Sequence, residues 1–397
     1  MASVAPSEHN RIPGRRHLSG PDVTYARNVA GRWEERRIRA SIAAVVADAD
    51  AAFSPDALWP ADEWDGWRTP LPLTSLYVGA AGVLWALDAL RRRGHAEPRL
   101  DLAAAALRAL EAWRAEPDFV AGEQLPSTAE AGLLNGEPGV LAVAWLLTRD
   151  AAVAHALGAR VRQNLRSEAN DVMWGAPGTL LAARLLPGDG WRESAAAVLS
   201  ARDADGLWTQ RLYGDEYRAL GPIRGATGNV LALRPHERWP EAARAVADAL
   251  ARTAVVGRDG ADWPSVDGGE AARLQWCAGA PGVVAGAWEY LDQALLLAGA
   301  ERVWRAGPQP DEKGAGLCHG TAGNGWALLK AFARTGDELW LERARAVAAA
   351  ALDQAERLRA ARGRGRYSLW TGDVGVALFA ADCLDATTAY PILETWA

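Results

Sequence analysis

One pattern recurs seven times along this chain: Gly-x-x-Gly followed at once by an apolar run. It reads YVGAAGVLWAL from Tyr77, LNGEPGVLAVAWLL from Leu134, MWGAPGTLLAARLL from Met173 and IRGATGNVLAL from Ile223. CAGAPGVVAGAW from Cys277, CHGTAGNGWALL from Cys318 and WTGDVGVALFAA from Trp370 complete the set. The first glycines, Gly79, Gly136, Gly175, Gly225, Gly279, Gly320 and Gly372, are spaced by 57, 39, 50, 54, 41 and 52 residues. A repeat of this period is one supersecondary unit that buries its apolar face only against its neighbours. Each interval has room for a helix after the glycines and another before the next copy, such as LDLAAAALRALEAWRAE from Leu100. The unit is a helical hairpin. Ala, Leu, Arg and Glu outnumber Val, Ile and Thr, so the predicted class is all-α.

The glycines allow close backbone approach and supply the unusual φ angles of a tight turn, so seven apolar helices are expected to converge as an inner ring with their tips at one end. At 397 residues the chain suits two ordinary domains or one large repeat. The repeat selects the second: a single domain over residues 26–397 behind a polar, flexible leader at 1–25.

Register within the repeat selects candidate functional residues. Only six histidines and three cysteines occur, yet Cys277 and Cys318 both lie two residues before a repeat glycine, in consecutive copies. Equivalent slots in neighbouring hairpins face the same place. His319 lies one residue before Gly320, a slot that elsewhere holds Val78, Asn135, Trp174, Arg224, Ala278 and Thr371; Arg224 is therefore expected to look into the same mouth. Two thiolates and an imidazole suit zinc in tetrahedral geometry, and three protein ligands leave the open position of a catalytic site. A substrate thiol is a plausible fourth ligand, activated there as thiolate. Cys383, eleven residues after Gly372 on an apolar face, reads as a core residue.

Other classes recede. A net charge of −6, with 49 acidic and 43 basic residues spread without blocks, builds no surface for nucleic acid. No transmembrane segment and no apolar signal core is evident, and three cysteines make a poor disulfide framework, so a cytoplasmic location is expected. A toroidal glycosidase needs paired carboxylates across the mouth; Glu137 and Asp373 share a slot after the first glycine, and nothing else supports the pairing.

The motifs QWCAGAPGV and GLCHGTAGN, set within seven Gly-x-x-Gly hairpins from about Ser75 onward, resemble the lanthionine synthetase C-like family, and the tail YSLWTGDVGVALFAADCLDATTAYPILE resembles its eukaryotic-type branch. The resemblance implies an α/α toroid, a double ring of seven hairpins, holding Zn2+ on Cys277, Cys318 and His319. It implies addition of a thiol to a dehydroamino acid, with a dehydrated thiol-bearing peptide or glutathione as substrate and a possible separate dehydratase as partner. It also implies a catalytic role for Asp171, although helix capping explains an Asp there equally well, and substrate-binding roles for Lys313 and Trp276, the latter as pocket wall.

Two positions depart from the family pattern. Arg224 stands where the cyclases carry a His-Gly pair thought to protonate the enolate. An arginine stabilises an enolate by charge yet is a poor proton donor at neutral pH. Ala278 stands where a tyrosine or histidine usually lines the pocket. These departures keep a second reading open: a non-catalytic zinc toroid that binds a thiol peptide, glutathione or a partner enzyme.

Overall fold

The computed structural model describes residues 33–65, 72–120 and 130–396. The expected leader, residues 1–25, and the expected domain start at residue 26 lie outside the described residues. In chain order the helices are α1 (Glu35–Ala52), α2 (Ala80–Arg92), α3 (Leu102–Ala115), α4 (Glu137–Thr148), α5 (Ala151–Asn164), α6 (Ala176–Ala183), α7 (Trp191–Ser200), α8 (Ala226–Ala232), α9 (Trp239–Thr253), α10 (Ala280–Ala287), α11 (Gln293–Ala306), α12 (Thr321–Thr335), α13 (Glu338–Arg362) and α14 (Asp373–Asp385). Every even-numbered helix starts directly after the first glycine of a repeat.

The two sets differ in how they are buried. In α14 every residue from Asp373 to Cys383 is buried, and α10 is buried along its whole length; a helix apolar all round belongs inside. By contrast α1 buries a stripe, Ile38, Ile42, Val45, Val46 and Ala49, and leaves the rest exposed or half-buried. Burying each of its larger members stabilises by about 1.5–3 kcal/mol. Asp101, Asp150, Asp292 and Asp337 cap the odd-numbered helices α3, α5, α11 and α13 with their carboxylates. The inner helices have no such caps. In four of them the first N–H donates instead to a carbonyl seven residues back in the preceding loop, Ala80 to Leu73, Ala226 to Ala219, Thr321 to Gly314 and Asp373 to Arg366, while Ala280 of α10 donates to Asp262 Oδ1 at 2.7 Å.

The even-numbered helices pack on one another in sequence and α14 packs back on α2, closing an inner ring; α1 lies against α14, so the first outer helix completes the outer ring beside the last inner one. The fold is the expected α/α toroid. Two small antiparallel hairpins, absent from the sequence expectation, interrupt it: β1 (Gln210–Leu212) with β2 (Asp215–Tyr217), and β3 (Val255–Gly257) with β4 (Gly260–Asp262).

The repeat glycines are needed for space more than for conformation. Six of the seven first glycines have ordinary negative φ, and only Gly279, at φ 103°, lies in the left-handed region. A Cβ on Gly323 would stand 1.6 Å from the Leu317 carbonyl oxygen, and one on Gly282 would stand 1.8 Å from that of Trp276. The second glycine thus lets each loop fold down onto its own helix.

After α14 the chain turns back into the ring. Tyr390 and Trp396 are buried, and Glu394 is held by Lys330, Arg234 and the Trp288 indole. The C-terminal segment therefore fills the lumen. Among the described residues no helix is long and apolar enough to cross a membrane.

Candidate metal centre

A belt of backbone hydrogen bonds runs through one slot of the repeat, two residues before each first glycine. Cys277 N–H donates to Cys318 O at 3.2 Å, Cys318 N–H to Trp370 O at 2.7 Å, and Trp370 N–H to Tyr77 O at 3.4 Å. The series continues with Tyr77 to Leu134, Leu134 to Met173 and Met173 to Ile223. The same slot in successive hairpins is thereby placed side by side, which is why the register argument works.

Cys277 and Cys318 are neighbours on this belt. Their sulfurs and a ring nitrogen of His319 all lie within 4.8 Å of one another, the single such group among the described residues. Cys318 Sγ stands 3.6 Å from His319 Nε2, and the Gln275 amide donates to Cys277 Sγ at 3.0 Å. Cys318 is buried while Cys277 and His319 are half-buried, so the cluster opens to one side. The Cys277 thiol is held well below the usual range by a hydrogen bond from Cys318, with His319 assisting against burial. Cys318 is pushed well above it, by burial and by the neighbouring Cys277. The two thiols shift in opposite directions, so a second thiolate beside the first is disfavoured, and a positive charge between the sulfurs would favour it. The donors of a tetrahedral zinc with bonds of about 2.0–2.3 Å lie about 3.6–3.8 Å apart, so this set fits zinc after shifts on the order of an ångström.

Aromatic rings form the floor. Trp276 stacks on Tyr390 with centroids 4.1 Å apart and planes 5° apart, and Trp370 and Trp326 close around them. Trp276 is only 1% exposed, and it supports the Cys277 loop from beneath. On the open side, Trp64 is 52% exposed; it meets the His319 ring edge-on at 5.3 Å and covers the Arg366 guanidinium at 5.0 Å. Arg366 makes a two-pronged pair with buried Asp65, which also accepts from Thr371 Oγ1 at 2.8 Å.

Arg224 and Asp171 are brought together. Arg224 Nε donates to Asp171 Oδ2 at 3.1 Å and Arg224 Nη2 to the Tyr217 hydroxyl at 2.5 Å, while Tyr213 lies 5.4 Å from the guanidinium carbon. Asp171 is fully buried, which pushes its pKa up to about 6 against the pull of Arg224 and of the Trp174 N–H. It also caps its own loop, accepting from Trp174 N–H at 2.7 Å. Arg224 is near enough to Cys318 for its charge to favour thiolate there. Lys313 is exposed, in a turn where its N–H meets Pro310 O at 2.9 Å. Cys383 is buried in α14, its pKa raised by burial, as expected of a core thiol. Glu137 pairs with Arg160 and Asp373 accepts from the Arg366 N–H, so each carboxylate is engaged by its own surroundings.

Several residues around the site escaped the sequence reading. Tyr77 and Trp370 occupy the slot of the two cysteines, so register could have found them. Burial and then the charge of Cys318 push the Tyr77 phenol well up. Trp64, Asp65 and Arg366 lie outside the repeat motif, and nothing local marked them.

Residues 235–395 match the family described as "Lanthionine synthetase C-like protein". The match covers less than half of the chain, and over that stretch the chain is similar to the lanthionine synthetase C-like family. The matched stretch carries all three candidate donors with Trp276 and Lys313; Asp171 and Arg224 lie upstream of it. The chain is also 34% identical over 131 residues to "Glutathione S-transferase LANCL1" of Danio rerio. That alignment covers 30% of this chain and 31% of the relative, so it spans about a third of that relative's length. The structure of "Nisin cyclase" superposes with a TM-score of 0.58 at 13% identity, covering 89% of this chain and 96% of the other, which places the two in one fold.

Proposed function

We propose that the protein binds Zn2+ through Cys277, Cys318 and His319 and activates a substrate thiol for conjugate addition to a dehydroamino acid. The observation that carries the reading is the convergence of two thiols and an imidazole at the open end of the ring. A zinc ion held there would stabilise an incoming thiol as thiolate. The chain's own residues do the rest: Gln275 supports the Cys277 thiolate, Trp276 and Tyr390 fix its loop from below, and the Arg224 guanidinium supplies positive charge where an enolate develops. The substrate is a dehydrated, thiol-bearing peptide or glutathione with a separate electrophile; a separate dehydratase would supply the dehydrated residue. The names of the two relatives, one a cyclase and one a glutathione transferase, agree with these two options. We assign Lys313 to a substrate carboxylate on its charge and exposure alone, read residues 26–397 as one domain, and place the protein in the cytoplasm, where free cysteines persist.

One observation favours a second reading. Arg224 is already engaged by Asp171 and Tyr217, as expected if the ring only holds a thiol ligand without turning it over. Cobalt substitution separates the readings when combined with a dehydroalanine peptide. Growth of the thiolate-to-cobalt absorption band on adding glutathione or a cysteine peptide, followed by adduct formation by the zinc form, is the expected result. A band without adduct across many electrophiles would leave the binding role, and no response to thiols would end both.

A further inference from the structure

The proposed addition leaves a carbanion that must take up a proton, and Arg224, permanently protonated and paired with Asp171, is a poor source of one. Asp171 is no better placed, because it is fully buried and its two oxygens accept from Trp174 N–H and Arg224. One hydrogen bond beyond Arg224 stands the Tyr217 phenol, 2.5 Å from Nη2. A guanidinium can only donate in that bond, so the phenolic hydrogen remains free to be given elsewhere.

The segment that carries Tyr217 is built to hold it. The β1–β2 hairpin turns through Tyr213 and Gly214, at φ 61° and 81°, the positive pair of a type I′ turn. A tyrosine at the first of these positions is uncommon, and here its ring lies against Arg224. Gln210 ties the hairpin base to Asn170 O at 3.2 Å and to Ala219 N–H at 2.8 Å. Arg211 N–H reaches Glu168 O at 3.0 Å, and Leu212 is buried beside Trp174, with Tyr217 packed on the same cluster. Tyr217 therefore sits on an anchored platform beside the mouth. Burial also raises its pKa, which keeps the phenol protonated at neutral pH.

Resting on the thiol-addition reading, we propose that Tyr217 is the proton donor of this reaction and that Arg224 is its partner, stabilising first the enolate and then the phenolate. In the step, the thiolate sulfur bonds to the β-carbon and the π electrons move onto the α-carbon and its carbonyl. The Tyr217 O–H bond then breaks, its hydrogen goes to the α-carbon, and the phenolate left beside Arg224 regains from solvent the proton that the substrate thiol lost. The sum is a thiol and an alkene giving a thioether, with no oxidant or further reactant.

The test compares zinc-loaded wild type with Tyr217→Phe, which keeps the ring and its packing, in adding glutathione or a cysteine peptide to a dehydroalanine peptide. The expected result is a fall in kcat of about 100-fold or more with KM for both substrates changed by less than about threefold. A second readout is independent of turnover: the nitronate form of a nitroalkane, a planar anion resembling the enolate, should bind wild type at least about tenfold more tightly than Tyr217→Phe. Wild-type turnover with unchanged kcat and nitronate binding in the variant overturns the role of Tyr217 and leaves thiol addition standing. Absence of adduct with wild type itself overturns both.

Discussion

Replacing Glu394 by Gln should destabilise the protein far more than replacing its partner Lys330 by Met, although the two form one ion pair. Lys330 Nζ lies 2.5 Å from Glu394 Oε2, with side-chain exposures of 1% and 2%. Their surroundings are unequal. Glu394 also accepts from Arg234 Nη2 at 3.0 Å, Trp288 Nε1 at 3.0 Å and Tyr390 N–H at 2.7 Å. Among the described residues Lys330 bonds only this carboxylate and lies 4.8 Å from the Trp288 ring. Burial accordingly lowers the Lys330 pKa despite Glu394, whereas in Glu394 the pull of Lys330 and Arg234 overcomes burial and holds the carboxyl below its usual range. Glu394→Gln strands a buried ammonium, at a cost of about 3–5 kcal/mol. Lys330→Met leaves the carboxylate with Arg234 and two N–H donors, so about 1–2 kcal/mol is expected. For a chain of this length the unfolding entropy is about 0.8 kcal/mol/K, so the variants should melt roughly 5 °C and 2 °C below wild type. Circular dichroism with metal content matched, checked by urea unfolding at a common m value, measures both. If Lys330→Met proves as costly as Glu394→Gln, the argument from unequal partners is wrong.

At the metal centre, Cys318→Ala should reduce bound zinc to less than a tenth per chain, and Gln275→Leu, which removes the amide donor to Cys277 Sγ, should weaken zinc by about 10–100-fold; competition with a chromogenic chelator reads both. Burial pushes Asp382 up to about 6 against Arg93 and Thr387, above its unfolded value of about 3.9, so its contribution to stability is greatest below pH 4 and is lost as pH rises through 6. Asp382→Asn should therefore make the melting temperature less sensitive to pH between 4 and 6, by about 1.4 kcal/mol per pH unit; an unaltered slope would show that Asp382 ionises normally. Gly323→Ala places a methyl against the Leu317 carbonyl next to Cys318 and should yield insoluble or metal-free protein. Gly158→Ala, on α5 with its nearest neighbour atom at 3.6 Å, should gain about 0.5–1 kcal/mol in urea unfolding.

How much of this was legible beforehand depended on whether a residue belonged to the repeat. Cys277, Cys318 and His319 were readable because their slots recur at each hairpin, and the belt of backbone bonds turns equal slots into spatial neighbours. Tyr77 and Trp370 carried the same signal and were passed over because neither is a metal ligand. Trp276 adjoins Cys277 in sequence, but its stacking partner Tyr390 lies far downstream, and no local pattern connects the two. The three-residue strands of β1 and β2 are too short for alternation to show, so the hairpin that brings Tyr217 to Arg224 was invisible. Of the two reasons for the repeat glycines, close approach holds throughout, whereas among the seven first glycines only Gly279 adopts positive φ.

The closure of the ring gives the candidate metal centre a further property. Cys318 is bonded to Trp370, and Trp370 to Tyr77, so the strip that carries the ligands is continuous with both the first and the last hairpins. An open stack of hairpins can order from any point and spread, but this strip attains its full register only when α14 meets α2 and α1. During synthesis that meeting waits until α14 has been made. Acquisition of metal would then act as a timestamp on folding, recording the moment at which the first and last hairpins find each other.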